Sequence, residues 1–241
     1  DTETREQLAQ VAHNISLDSN YPLEDLKRFI EFTVEELKKE ISRPAKDSKH
    51  LLALAAVMNR ALEFHPEYAE ESERILREAL RLSPQRQIIY LELGQLYLLT
   101  GRKEEASLAL KTAWQLEPNL QRNTRMSIDV WYYGILAGMP ELVSEVKGAI
   151  NYKFLDEGSL LKLSEAYRRV ENYAEALPLE AQLVEIAPQN PQYRVVYAAL
   201  LANFGRLEEA RDQALEVIRI DPAYEQDVKN FLEFLKTKGL K

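Results

Sequence analysis

The feature that most constrains this 241-residue chain is a recurring interval of 34 residues. Pro84 and Pro118 stand 34 apart, as do Pro188 and Pro222, and Ala176 and Ala210. Tyr97 and Tyr167, like Ala106 and Ala176, are 70 apart, which is two intervals plus two residues, so one slightly longer unit lies between them. Self-similarity at a fixed period marks stacked units, each of which buries its apolar face only against its neighbours. Hydrophobic residues make up 46% and charged residues 29%, enough apolar surface for the chain to fold. Only 8 glycines stand among abundant Leu, Ala, Glu, Lys and Arg, so the units should be helical.

In the clearest unit, about Gln87 to Gln121, Tyr90, Leu93, Gly94 and Tyr97 are followed by Gly101, then Ala106, Leu110, Ala113 and Pro118. This pattern resembles the two helices and turn of a tetratricopeptide repeat, with leucine where Phe or Tyr is commoner in the second helix. Leu160, Leu163, Ser164, Tyr167, Tyr173, Ala176 and Pro188 repeat it, and so do Ala198, Leu201, Gly205, Ala210 and Pro222. Trp131, Tyr132, Gly134 and the turn Ala137–Glu141 form a degenerate unit, and Leu51–Pro84 another, with Pro66 in its turn. The resemblance implies an all-α fold, a right-handed superhelical array of about five helix pairs. These fall at about 51–86, 87–121, 122–156, 157–190 and 191–224 within an array over 49–224. Residues 1–48 would supply N-terminal helices and a linker, and 225–241 a C-terminal capping helix.

Before the array, Leu23, Leu26, Ile30, Val34, Leu37 and Ile41 recur at helical steps, predicting an amphipathic helix over Pro22–Ile41. It is expected to start at Asn20 or Tyr21, with Pro22 in its first turn. A shorter helix is expected over Thr2–Ile15, and Ser42–His50 reads as a polar linker. The helix over Pro22–Ile41 serves either as a cap on the array or as an occupant of its groove. After the array, Val228, Phe231, Leu232, Phe234 and Leu235 give Gln226–Leu240 one apolar face, suited to covering the open end of the last repeat.

Gly94 should cost its helix about 1 kcal/mol relative to alanine. The resemblance places it where the paired helices approach closely, with Ser164 and Ala198 as the other small occupants. Two departures stand out. Glu180 sits where the family buries an aromatic side chain, so it is expected to reach back to solvent, and Leu183 stands where alanine is usual. Pro178 lies in the same helix and would kink it if deeper than the first turn.

A net charge of −8 argues against a nucleic-acid backbone as main partner. Without cysteine there is no disulfide, thiolate nucleophile or Cys-type zinc site. His13, His50 and His65 are scattered and outside any HExxH pattern, and no phosphate-cradling glycine loop or nucleophile turn occurs. The runs Glu35–Glu36, Glu70–Glu71 and Glu104–Glu105 read as solvated faces. No enzyme, no cofactor and no metal are therefore expected. No run of 18 apolar residues occurs, so no segment of this chain is expected to enter a membrane. The chain opens at Asp1 without methionine or signal peptide, as expected of a fragment or processed form, and no compartment is fixed.

The resemblance implies that first helices line a concave groove. Its inward positions fall on Ile88, Leu91, Gln95, Leu98 and Leu99, then Ile128, Tyr132, Ile135 and Leu136. They continue on Leu161, Glu165, Arg168 and Arg169, and on Val195, Ala199 and Asn203. Family members that clamp a partner's C-terminal carboxylate use Lys, Asn and Arg here; with Gln95, Glu165, Ala199 and leucines, that clamp is absent. The expected function is a non-catalytic scaffold binding a peptide or amphipathic helix through apolar anchors. Intramolecular cover of these leucines is the competing expectation. A weaker resemblance, to the C-terminal repeat region of bacterial O-antigen ligase-type membrane proteins, would make the chain a module with catalysis and any membrane tether outside it. Self-association through an uncovered end is a third reading.

Overall fold

The computed structural model describes residues 7, 8, 11, 22–41, 47–116, 125–150 and 155–239. The helix expected over Thr2–Ile15, the start at Asn20 or Tyr21, linker residues 42–46 and Pro118 lie outside them. The described residues form twelve long α-helices and no strand: α1 (Leu23–Ile41), α2 (Ser48–Arg60), α3 (Tyr68–Leu82), α4 (Gln87–Leu99), α5 (Lys103–Gln115) and α6 (Arg125–Leu136), then α7 (Pro140–Ala149), α8 (Glu157–Arg169), α9 (Tyr173–Ile186), α10 (Pro191–Asn203), α11 (Leu207–Ile220) and α12 (Glu225–Thr237). A 3₁₀ turn over Pro222–Tyr224 joins the last two. The chain divides into two compact units, one of residues 1–121 with 137–143 and one of 122–136 with 144–241.

The hairpins are made by one turn, used three times. Arg102 N–H donates to the Tyr97 carbonyl at 2.7 Å, Asn172 to Tyr167 at 2.8 Å and Arg206 to Leu201 at 2.9 Å. Such a six-to-one bond closes a helix when the preceding residue is left-handed. Here that residue is Gly101 (φ 76°), Glu171 (φ 59°) or Gly205 (φ 72°).

In the first unit α2 pairs with α3, α4 pairs with α5, and α1 packs against α2. Ile30, Val34 and Leu37 of α1 enter the same core as Leu51, Leu54 and Met58, which is why the apolar stripe of this helix runs its full length. Lys38 of α1 also pairs with Glu71 of α3 at 2.6 Å. The α2–α3 connection, 61–67, is longer than the three-residue turn at 100–102. In it His65 lies 3.1 Å from Glu31 and 2.8 Å from Glu67, stacked on Tyr68.

A buried polar chain crosses this unit. Ser72 Oγ donates to Asn59 Oδ1 at 2.6 Å, and Asn59 Nδ2 donates to the Glu92 carbonyl and to Glu92 Oε2, each at 3.1 Å. Buried polar groups require such partners. Gly94 sits where α4 meets α5: a Cβ there would lie 2.7 Å from Leu110 Cδ2 and 2.9 Å from Leu110 Cγ. The small residue expected at this position is thus required by contact.

In the second unit α8 pairs with α9 and α10 with α11, while α6 packs on α8 and α12 on α11. Trp131 Nε1 donates to Tyr167 Oη at 2.9 Å, both side chains being buried. Burial pushes the Tyr167 phenol up to about 12. Asp156, Asn172 and Asn190 cap the first turns of α8, α9 and α10 through side-chain oxygens, as short polar side chains do. Pro178, sixth residue of α9, is exposed, and the helix runs unbroken through it to Ile186. Leu183 is buried in the same helix.

Register carries over between the units. Ser164 and Glu180 occupy the places of Gly94 and Leu110 shifted by 70 residues, and Ala198 and Ala214 follow 34 further on. In α12 the corresponding residue is Leu232, and no helix follows it among the described residues.

Candidate partner-binding faces

The fourteen side chains expected to face a partner sort by exposure. In the first unit α4 carries Leu91, buried, then Gln95 and Leu98, half-buried, and Leu99, 57% exposed. Leu98 and the adjacent Ile88 pack against the unit's own core. In the second unit Ile128 and Ile135 of α6 are buried, while Tyr132 and Leu136 are half-buried. On α8, Leu161 (38%), Glu165 and Arg169 are exposed and Arg168 half-buried; on α10, Val195 (37%) and Asn203 are exposed. Leu91, Ile128 and Ile135 therefore do not reach the surface expected of them. In a stacked array each helix is flanked on several sides, so the residue beside an exposed stripe is covered by packing.

Within the second unit some of these groups meet. The Tyr132 phenol is raised by burial, against the opposing effect of Arg169, with Glu165 reinforcing the rise. Lys162 Nζ stands 4.7 Å from the Tyr132 ring centroid and pairs with Asp129. Tyr132, Glu165 and Arg169 thus form one mixed patch.

Glu180 corrects the sequence-based expectation. Its side chain is 1% exposed rather than reaching solvent. Ser164 Oγ donates to Glu180 Oε1 at 2.5 Å, and Arg168 Nε lies 3.5 Å from the same oxygen. Burial raises the carboxyl above the usual range, while Ser164 and Arg168 oppose the rise. The register explains the burial: the residue points into the α8–α9 contact, where Leu110 points in the first unit, and the hydroxyl of Ser164 supplies the donor that glycine cannot.

A cavity of about 270 Å³ opens between α10, α11 and α12. Its floor is Ala198, Ala214, Val217 and Val228, all buried. Its mouth carries Val195, Ala199 and Asp227, all exposed. Tyr224 and Phe231 form its sides, and Gln192 Nε2 donates to the Tyr224 hydroxyl beside it. Val195 and Ala199 were on the expected inward row; the α11 and α12 contributions were not, although paired alanines at 198 and 214 signalled missing volume.

Among the described residues no group of three or more His, Asp and Glu side chains is placed to hold a metal ion. No described helix is long and apolar enough to cross a membrane.

Successive hairpins with a shared turn and a shared close contact define an all-α helical-repeat protein. Two tetratricopeptide repeat family models match, one over residues 63–123 and one over 161–225. The TPR repeat-containing thioredoxin TTL4 of Arabidopsis thaliana is 45% identical over 69 residues, covering 29% of this chain and 10% of that protein. The inactive TPR repeat-containing thioredoxin TTL3 of the same plant is 43% identical over 61 residues, covering 25% of this chain and 9% of that protein. The chain thus spans about a tenth of these relatives. A solved structure of Pseudomonas aeruginosa pilF shares the fold, with a TM-score of 0.53 at 18% identity, covering 91% of this chain and 94% of the other. The chain belongs to the tetratricopeptide repeat proteins, which are in general protein-interaction scaffolds.

Proposed function

We propose that the chain is a non-catalytic protein-interaction module that holds a peptide or amphipathic helix on the faces of its first helices. The observation that carries this reading is the exposure of Leu99, Leu161 and Val195, one on each of α4, α8 and α10 and all on the inward register row. Exposed aliphatic side chains repeated in register suit apolar anchors spaced along a partner. Repeat limits near 51–86, 87–121, 122–156, 157–190 and 191–224, with 1–48 and 225–241 flanking them, are part of the proposal. The reading as a module of a polysaccharide-assembly membrane enzyme would put catalysis outside this chain, and no described side chain favours it over a scaffold.

The test is photo-crosslinking in cells. A benzoylphenylalanine at Leu161 or Val195 should form one discrete partner adduct, and one at Leu108 should not. Leu108 is 69% exposed on a second helix and controls for mere exposure. Adducts from Leu108 alone, or partner retention after Leu98→Glu with Tyr132→Glu in a folded protein, would overturn the reading.

A further inference from the structure

We propose that the cavity between α10, α11 and α12 anchors one apolar side chain of a partner peptide that carries a lysine or arginine beside it. This rests on the interaction-module reading and adds the chemistry of one anchor. The cavity has a traceable cause. At the same helix–helix contact Leu110 fills the space beside Gly94, and Glu180 fills it beside Ser164. In the last pair both places hold alanine, Ala198 and Ala214, and the missing volume is open. A partner side chain would restore there the packing that the other pairs make internally.

The size and charge of the site choose the occupant. At about 270 Å³ it lies below the roughly 300–1,000 Å³ that drug-sized ligands fill, so it suits a single side chain. Its floor is alanine and valine, which excludes a polar guest left without hydrogen bonds. At the mouth Asp227 makes no hydrogen bond or ion pair among the described residues, and it is the one charged group lining the cavity. An incoming base complements it, an incoming acid is repelled, and Val195 places the mouth on the inward row.

The experiment uses ¹³C-methyl NMR titration of the whole chain with two blocked dipeptides, acetyl-phenylalanyl-arginine amide and acetyl-phenylalanyl-glutamate amide. The arginine probe should shift the methyls of Val195, Ala198 and Val228 saturably. The glutamate probe should bind about two- to five-fold more weakly, the reach of one solvent-exposed charge pair. Ala214→Met keeps the fold, because an unbranched side chain fits beside Ala198 as Glu180 fits beside Ser164. It should abolish the shifts while holding or raising the melting temperature. Asp227→Asn should retain binding and lose the preference between probes.

Cavity-methyl shifts that survive Ala214→Met, or that neither probe produces, would overturn the anchor. An unchanged arginine preference in Asp227→Asn would overturn the basic companion. A concentration-dependent dimer lost in Ala214→Met would place a second copy of this chain in the cavity instead. A crosslinked partner that still binds Ala214→Met overturns the anchor while leaving the interaction-module reading standing, whereas loss of all adducts at Leu161 and Val195 in the unmodified protein defeats that reading first.

Discussion

The first unit and the second build the same helix–helix contact from opposite materials. At Gly94 and Leu110 one residue gives up its side chain so that a large apolar one can fill the space. At Ser164 and Glu180 the smaller residue keeps a hydroxyl and the larger one is a carboxylate, buried and hydrogen-bonded. At Ala198 and Ala214 neither fills the space, and a cavity remains. A repeat register therefore fixes which residues meet without fixing what they do when they meet. The apolar solution makes a joint, the polar one makes a titratable joint, and the empty one makes a site.

The largest expected effect falls on the apolar solution. Leu110→Ala removes a fully buried side chain and should cost about 2–5 kcal/mol by chemical denaturation, the range for such truncations. Gly94→Leu should overpack the same contact and cost about 1–3 kcal/mol, because the first added carbon already lies 2.7 Å from Leu110 Cδ2. The two places are coupled. The double variant Gly94→Ala with Leu110→Ala reproduces the Ala198·Ala214 arrangement and should fall short of the sum of its singles by about 0.5–3 kcal/mol. Strict additivity would break the parallel between the units.

The polar solution is probed by pH. The Glu180 carboxyl is raised in the fold, mainly by burial. The folded protein thus binds this proton more tightly than the unfolded chain does, and the contribution to stability is greatest below the unfolded carboxyl range. It is lost as pH rises through the elevated folded value. Relative to Glu180→Gln, which does not titrate, the unmodified protein should lose stability with rising pH across that window and show no further change above it. Urea unfolding of both proteins through the acid-to-neutral range measures the difference. A difference that is flat, or that grows in favour of the glutamate as pH rises, would show a carboxylate stabilised by Arg168 rather than opposed by burial.

These contrasts mark how far the residues alone could be read. The hairpins, the turn at Gly101 and the close approach at Gly94 were legible because each is a property of spacing: 34 residues return a side chain to the same surroundings. The buried state of Glu180 was not, because its expected escape to solvent depended on free space and on Arg168 and Ser164 as partners, which a register does not report. Nor was the chain from Ser72 through Asn59 to Glu92, which needs three helices placed together. The inward row was legible as a row, but the burial of Leu91, Ile128 and Ile135 depends on flanking helices that spacing does not weigh. The cavity was half legible, as two alanines in register whose joint consequence is a volume.

The smallest effect concerns the turn that both units share. Gly101 and Gly205 take the left-handed conformation freely, while Glu171 holds it at φ 59° with a side chain. A non-glycine residue there costs about 1–2 kcal/mol. Glycine would remove that strain but loses about 0.5–1 kcal/mol through its larger unfolded-state freedom. Glu171→Gly should therefore stabilise the second unit by roughly 0.5 kcal/mol, the difference of the two. The reciprocal Gly101→Ala lets the turns be compared directly. It adds the strain while recovering the entropy, and no atom lies within 4 Å of the new Cβ to obscure the result. It should cost the first unit about the same 0.5 kcal/mol, with opposite sign. Equal and opposite shifts would show that the turn is energetically one device in both units. A stabilising Gly101→Ala, or a destabilising Glu171→Gly, would show instead that Glu171 makes a contribution beyond its backbone angle, and the two turns would differ as the packed contacts do.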